Sequence, residues 1–471
     1  MTLSKLIAAS LAILATQAHG MTLSSRGVGQ VLIYPYYTVN DHQQTLFSLS
    51  NTTEAGKALQ VTFREAYDGR AVFAQEIYLG PNQSWSANVF ALRDVGVSSD
   101  AVGIASADKA CVQTMTNPAT ATTASGLTYR TFDATSYTGA NNDTGPITDA
   151  RMREGFIEVI ELGEIGGDTA GVISPRGSGT PDCSVVVPSI KMIADLGPPI
   201  GGLSGSAAVV NVNQGTYFGF EPKAIDGFRV QRIAPPTFAD LSMAGMDGED
   251  TVSASTDYHG AFLTLTFPRS HAIDAVSALF MATTLTGDID DTVAVGAATD
   301  WVLTFPTKEY YVGKASIDAD SRPFEKNFAD APAGSSPVTS DYHAYSRDGN
   351  DLVENWCGFG ECPPVHPALD YQTQVVSFYP QQNGDISNVL GSGVAEFAPI
   401  KSDQAGSATI EFLVGHTTPS KEGYVLSGLP VIGVQAINYV NDNVSAGVLS
   451  NYSGTSPLRG TLDCESAKGC P

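Results

Sequence analysis

The stretch QVLIYPYYTVNDHQQTLFSLSNTTEAGKALQVTFREAYDGRAVFAQEIYLG, Gln30–Gly80, is where the fold can be read. Apolar residues recur at alternate positions in short runs, the period of a pleated strand with one buried face. The runs are Gln30–Val39, Thr45–Ser50, Ala58–Arg64 and Val72–Leu79. A polar turn, Asn51 to Gly56, separates the second from the third, and Asp68-Gly69 separates the third from the fourth. Asp-Gly is a strong hairpin signal because glycine takes the positive φ such turns require. Gly80-Pro81 ends the last run. Pro35 has no N–H to give, which places Gln30–Val39 at an edge or a bulge, where it is free to pair with a neighbouring molecule. Four strands so joined describe an antiparallel sheet. Such a sheet is apolar on one face and needs a second layer, so a sandwich is expected.

The pattern continues along the chain. In Gly155–Leu162, Ile157 and Val159 share one face, Phe156 and Ile160 the other. Ser206–Phe220 reads as a hairpin turning at Asn213-Gln214-Gly215. Ala261–Phe267, Val276–Leu285, Trp301–Phe305, Gln374–Tyr379, Ala408–Val414 and Val431–Val440 read as further strands, with a short helix at Thr148–Arg153. Pro235-Pro236 makes residues 233–242 a stiff, extended connector. The expected organisation is a leader at 1–20, an N-terminal β-sandwich at 21–232, the connector at 233–242, a C-terminal β-sandwich at 243–450 and a disulfide-tied tail at 451–471. The fold class is all-β.

The leader reading rests on Lys5, the apolar run Leu6 to Ala15, and Ala18-His19-Gly20, whose small residues suit cleavage before Met21. That run is too short to span a bilayer and no later one is longer, so no transmembrane segment is expected. The protein is read as secreted, extracellular or at the cell surface, with the periplasm as an alternative. Acidic residues outnumber basic ones 49 to 25, a formal charge of −24. That potential repels phosphate backbones and anionic lipid and argues against nucleic acid as a partner. The six cysteines suit an oxidising compartment. Spacing suggests local clips Cys357–Cys362 and Cys464–Cys470, leaving Cys111 with Cys183. A metal site is the rival reading, but neither short pair has zinc-knuckle spacing.

Three stretches carry a resemblance: GVGQVLIYPYYTVN (Gly27–Asn40) with the following TLFSLSNTT, TDWVLTFPTKEYYV (Thr299–Val312) and GLPVIG (Gly428–Gly433). They resemble segments of a group of secreted proteobacterial proteins, uncharacterised and described as cell-surface or surface-layer-like. The resemblance implies secreted, immunoglobulin-like β-sandwich domains and brings no catalytic residues with it. The Cys–Trp–Cys framework of antibody domains is missing, since Trp85 lies between no suitably spaced cysteines.

Catalytic motifs fail one by one. Gly202-Leu203-Ser204-Gly205-Ser206 is a residue out of register for a nucleophile elbow. Two tripeptides, Asp257-Tyr258-His259 and Asp341-Tyr342-His343, set a carboxylate and an imidazole two residues apart, on one face if the backbone is extended. Acidic groups crowd at Asp247, Glu249 and Asp250, at Asp288, Asp290 and Asp291, and at Asp318 with Asp320. Such loops can supply oxygens to calcium, the one cofactor considered, although none matches an EF-hand. Tyr34, Tyr36, Tyr37, Tyr310 and Tyr311 are candidates for a sugar platform, or for cross-strand partners. The reading reached is a secreted, non-enzymatic structural or adhesive protein of the cell envelope, open to self-association or a cell-surface partner. The alternative is an extracellular carbohydrate-binding or carbohydrate-active protein, with polysaccharide as its ligand.

Overall fold

Burial along the N-terminal strands sorts them into two sheets. The computed structural model describes residues 20–470 except 117–118, 174–178, 187–189, 246–247, 314–322, 325–333, 354–366, 380–385, 442–444, 446–447, 449 and 468. In chain order the strands are β1 (Met21–Leu23), β2 (Val31–Thr38), β3 (Gln44–Asn51), β4 (Gly56–Glu65), β5 (Ala71–Leu79), β6 (Ser84–Ala91), β7 (Val102–Ala105) and β8 (Cys111–Thr114). They continue with β9 (Thr120–Thr122), β10 (Thr128–Thr131), β11 (Glu154–Ile165), β12 (Leu203–Asn211), β13 (Thr216–Phe220), β14 (Lys223–Asp226), β15 (Thr251–Tyr258) and β16 (Ala261–Pro268). A first sheet has the order β16-β15-β1-β14-β2-β11-β4-β5-β8, and a second β13-β12-β3-β6-β7-β10-β9. Pairing in both is antiparallel except between β1 and β15.

The expectation of one sheet over Gln30–Leu79 is therefore corrected. β2, β4 and β5 lie in the first sheet, β3 in the second. The difference is in the burial: β2 and β4 are buried at every position, whereas β3 turns Phe47 and Leu49 inward and Leu46 and Ser48 outward. The Asp68-Gly69 hairpin forms as read, joining β4 to β5.

Both faces of the first sheet are covered at its centre. Leu32, Tyr34, Val61, Phe63 and Val159 pack on Phe47, Leu49 and Trp85 of the second sheet. Val31, Ile33, Phe156 and Ile160 face the opposite way, into a larger core shared with Ile273, Trp301, Leu303 and Phe305. The C-terminal half contributes a four-stranded sheet (Thr284–Asp290, Ser340–Ser346, Ala405–Phe412, Arg459–Thr461) and a five-stranded one (Ala297–Thr304, Thr373–Tyr379, Ala395–Pro399, Ile432–Tyr439, Tyr452–Pro457). The result is an all-β fold of layered, largely antiparallel sheets. Sheet membership does not follow the connector: β15 and β16 come after 233–242 yet extend the first sheet. The connector is docked on that sheet, Ala239 exchanging two 2.8 Å hydrogen bonds with the Gln60 carboxamide. In the same way, Tyr452–Pro457 and Arg459–Thr461, from the expected tail, pair into the two C-terminal sheets.

Two further expectations change. β2 lies between β14 and β11, so Gln30–Val39 is an interior strand and not an edge open to a neighbour. Pro35 is tolerated there because the β2–β11 ladder slips, with Tyr37 opposite Gly155 and Tyr34 opposite Ile157. This is a bulge, which leaves one residue unpaired. Gly155 is required beside it: φ is +156°, and a Cβ would lie 1.9 Å from the Arg64 carbonyl oxygen. Val276–Leu285 is likewise not one strand. Ala272–Ala278 is a buried helix against β15 and β16, and a strand starts at Thr284. Its alanines and the Ile273/Val276 spacing suit a helix buried all round.

Exposed edges are capped by side chains. Ser453 Oγ accepts the Tyr217 N–H (2.7 Å) and donates to the Tyr217 carbonyl (3.0 Å), while Thr455 Oγ1 donates to the Gly219 carbonyl. These hydroxyls occupy β13, an edge that would otherwise invite another strand. Among the described residues two disulfides form, Cys111–Cys183 and Cys464–Cys470. Cys357 and Cys362 lie outside the described residues, as do residues 1–19 of the leader. The Cys111–Cys183 bond closes 72 residues of sequence. A Cys111→Ala, Cys183→Ala variant is expected to lose roughly 4 kcal/mol of unfolding free energy by the chain-entropy argument. Urea unfolding checks this; equal midpoints for variant and parent would show that the closed loop contributes nothing.

Candidate functional site

A sheet with one face in solvent presents every second residue of each strand. On β12, β3 and β6 those residues fall into rows: Ser206, Ser48 and Ser86 in one, Ser204, Ser50 and Ser84 in the next. Each strand supplies its pair from a Ser-x-Ser tripeptide. The hydroxyls pair across strands, Ser48 with Ser206 at 3.0 Å and Ser50 with Ser84 at 2.8 Å. Ser86 is anchored by Asp108 Oδ2, which accepts both its N–H (2.6 Å) and its hydroxyl (2.8 Å). A third row is Ala208, Leu46 and Asn88. Asn88 donates to Gln44 Oε1 at 2.8 Å, and its own Oδ1 has no partner.

Small side chains leave this face hollow. Tyr217 of β13 and the β9–β10 turn at Gly126-Leu127 line it along with the first and third rows, giving an open groove of about 730 Å³. No Asp, Glu, His, Lys, Arg or Cys lines it. The Tyr217 ring lies across Gly219, where an added Cβ would strike ring carbon Cε1 at 2.7 Å. The residue remains 60% exposed, so the ring keeps an open side.

The tyrosines proposed as a sugar platform are elsewhere. Tyr34, Tyr36, Tyr37 and Tyr311 are buried, and Tyr310 is half-buried, its hydroxyl accepting the Leu241 N–H. The first three lie on β2, which has no solvent face; their hydroxyls donate to the Ser48 carbonyl (2.6 Å), Glu154 (2.8 Å) and the Met152 carbonyl (3.1 Å).

The acidic groups do not converge either. Glu249 and Asp250 are exposed, and Asp247, Asp318 and Asp320 lie outside the described residues. Asp288 points to solvent, while Asp290 Oδ1 accepts the Thr292 N–H (3.0 Å) and hydroxyl (2.6 Å). Burial, with the charges of Asp290 and Asp403, pushes Asp291 up to about 6. Among the described residues no group of three His, Cys, Asp or Glu side chains could hold a metal ion. His259 sits beyond the end of β15 at positive φ, and Asp257 closes that turn by accepting the Gly260 N–H. Asp341 Oδ1 accepts the Tyr342 N–H. An Asp–His contact occurs outside both tripeptides: His271 Nδ1 lies 2.9 Å from buried Asp274, which also takes hydrogen bonds from Tyr311 (2.6 Å) and Thr418 (2.8 Å).

Ionisable residues concentrate instead between the first sheet and the C-terminal half. Arg64 pairs with Glu158 and with Glu309 (2.6 Å), and Lys57 with Glu161 (2.7 Å). Arg151, fully buried, bridges Glu65 and Asp143 beside the β4–β5 turn. Lys308 Nζ donates to the carbonyls of Leu369, Asp370 and Tyr371 at 3.0–3.2 Å. Burial, reinforced by the Glu65 charge, raises Asp68; Asp143, held by Arg151, is lowered. Burial, aided by Glu158, brings Glu309 up to about 7, and burial beside Asp370 does the same to Glu396.

No protein-family model, curated protein or solved structure matches this chain.

Carboxyls raised by burial bind protons more tightly in the folded chain than in the unfolded one. Between about pH 5 and 7 the folded state therefore holds more protons, and stability falls as pH rises. Lys308, lowered by burial to about 7, acts in the opposite sense only above that pH. The urea midpoint is expected to be higher at pH 5 than at pH 7, and Glu309→Gln to narrow the gap. A midpoint that rises from pH 5 to 7 would contradict this.

Proposed function

We propose that the protein works outside the cytoplasm as a non-enzymatic, adhesive component of the cell envelope, binding through the outer face of its second sheet. The observation that carries this reading is a groove of about 730 Å³ lined by no carboxylate, imidazole, amine, guanidinium or thiol. Acid–base catalysis near neutral pH draws chiefly on those groups. Here the serines face one another, and Ser86 is bonded to an aspartate already occupied by its own N–H. The buried carboxylates Glu154, Glu158, Glu161 and Asp300 bond to residues of the chain itself. Two disulfides fit an oxidising compartment, and among the described residues no helix is long and apolar enough to cross a membrane.

The test uses the purified protein and two readouts. Labelled protein is expected to be retained by cell-envelope fragments, and Leu46→Glu, which puts a charge in the groove, to lower retention about tenfold or more, a loss of roughly 1.4 kcal/mol. A panel of ester, glycoside and peptide substrates is expected to give no turnover. Turnover proportional to protein concentration, or retention unaffected by Leu46→Glu, would overturn the proposal.

A further inference from the structure

We infer that the groove takes a neutral saccharide chain, an inference that rests on the binding role proposed above. The first argument is the chemistry of the floor. Ser206, Ser48 and Ser86 offer uncharged donors and acceptors in register across three strands, about 4.8 Å apart, and Ser106 and Thr128 line the groove with them. Asn88 also lines the groove, its amide donating to Gln44 Oε1. An apolar ligand would bury these hydroxyls without replacing their bonds to water, a cost a polyol does not incur.

The second argument is charge. No cation lines the groove, Asp108 stands at its edge, and the chain carries a formal −24. A uronate, phosphate or other polyanion meets repulsion and finds no counter-charge. A peptide strand seeks free backbone groups at a sheet edge, and this surface is a face. A neutral, hydroxyl-rich chain fits what remains.

The third argument is the ring at the rim. Aromatic side chains join a flat apolar face to a polar tip, the pairing a sugar's C–H face and hydroxyls require. Tyr217 is set for this before any ligand arrives. Ser453 clamps both its N–H and its carbonyl, and its ring lies across Gly219 with an open side. A backbone already fixed there leaves less freedom to be lost on binding.

Electrophoresis through gels containing a soluble polysaccharide tests this. The neutral probes are galactomannan, dextran, laminarin and hydroxyethylcellulose; polygalacturonate is the anionic control. At least one neutral polymer is expected to retard the protein, and polygalacturonate is not. Tyr217→Ala is expected to weaken that retardation about tenfold or more, Tyr217→Phe to keep it, and Gly219→Val to match the alanine variant by displacing the ring, with unfolding midpoints near the parent's. Retardation by no neutral polymer, equal retardation by polygalacturonate, or an unaffected Tyr217→Ala variant would each overturn the inference. The two readings fail separately. Groove-dependent retention on envelope fragments without neutral-polymer binding sinks only the saccharide, and turnover of a bound polysaccharide sinks only the non-enzymatic role.

Discussion

A strand covered on both faces has no solvent side on which to put a charge, so each ionisable residue on β2, β4 and β11 must find its counterpart inside the protein. That constraint governs the first sheet. β11 alone carries Glu154, Glu158 and Glu161, all buried, and each meets a different answer. Glu158 takes Arg64 from the neighbouring strand, and Glu161 takes Lys57 together with the N–H groups of Ile200 and Gly201. Glu154 is held by neutral donors, Tyr36, Ser392 and the Gly393 N–H, two of them from the C-terminal half. Removing one member of such a set leaves a buried group unpaired, which is costlier than the pair is beneficial. Glu154, with Ser392 and Gly393, and Arg64, with Glu309, carry that pairing across to the C-terminal half.

The second sheet escapes that constraint, and its free face is dressed differently. Hydroxyl pairs replace charges: Ser48–Ser206 on the groove floor, Thr122–Thr128 at its wall, Ser50–Ser84 in the row beyond it. The same device recurs in the first sheet's outlying hairpin at Ser253–Thr266 and Ser255–Thr264. Cross-strand hydroxyl pairs stabilise a ladder modestly while keeping its surface uncharged and low. This is how a chain with only 16% charged residues stays polar outside.

How much of this was legible follows from where the determinants lie. Period-2 alternation placed Ile157 and Val159 opposite Phe156 and Ile160, and the two pairs do face different cores, because alternation is a local property of the backbone. Pro35 announced an edge or a bulge without deciding between them, because the bulge that forms depends on Gly155, 120 residues away in sequence. The tyrosine run misled for a related reason: a strand buried on both faces reads no differently from one with an aromatic outer face. The groove left a trace, three Ser-x-Ser tripeptides at 48–50, 84–86 and 204–206, but their meaning lies in register, which only strand pairing sets.

Register is also where buried and exposed chemistry meet. Gly205 separates Ser204 from Ser206, and a Cβ there would fall 2.0 Å from the Tyr34 hydroxyl and 2.3 Å from the Ser48 carbonyl oxygen. Tyr34 reaches across from the first sheet to donate to that same carbonyl at 2.6 Å. The missing side chain thus lets a buried phenol of one sheet grip the backbone of the other, between the two serines that β12 contributes to the outer face. A slip of one residue along β12 would bring Ser204 or Ser206 inward against Tyr34 and turn Ala207 outward, since successive side chains alternate. The hydroxyl row of the groove and the one beyond it are therefore held in line from beneath, by a tyrosine that never reaches the surface.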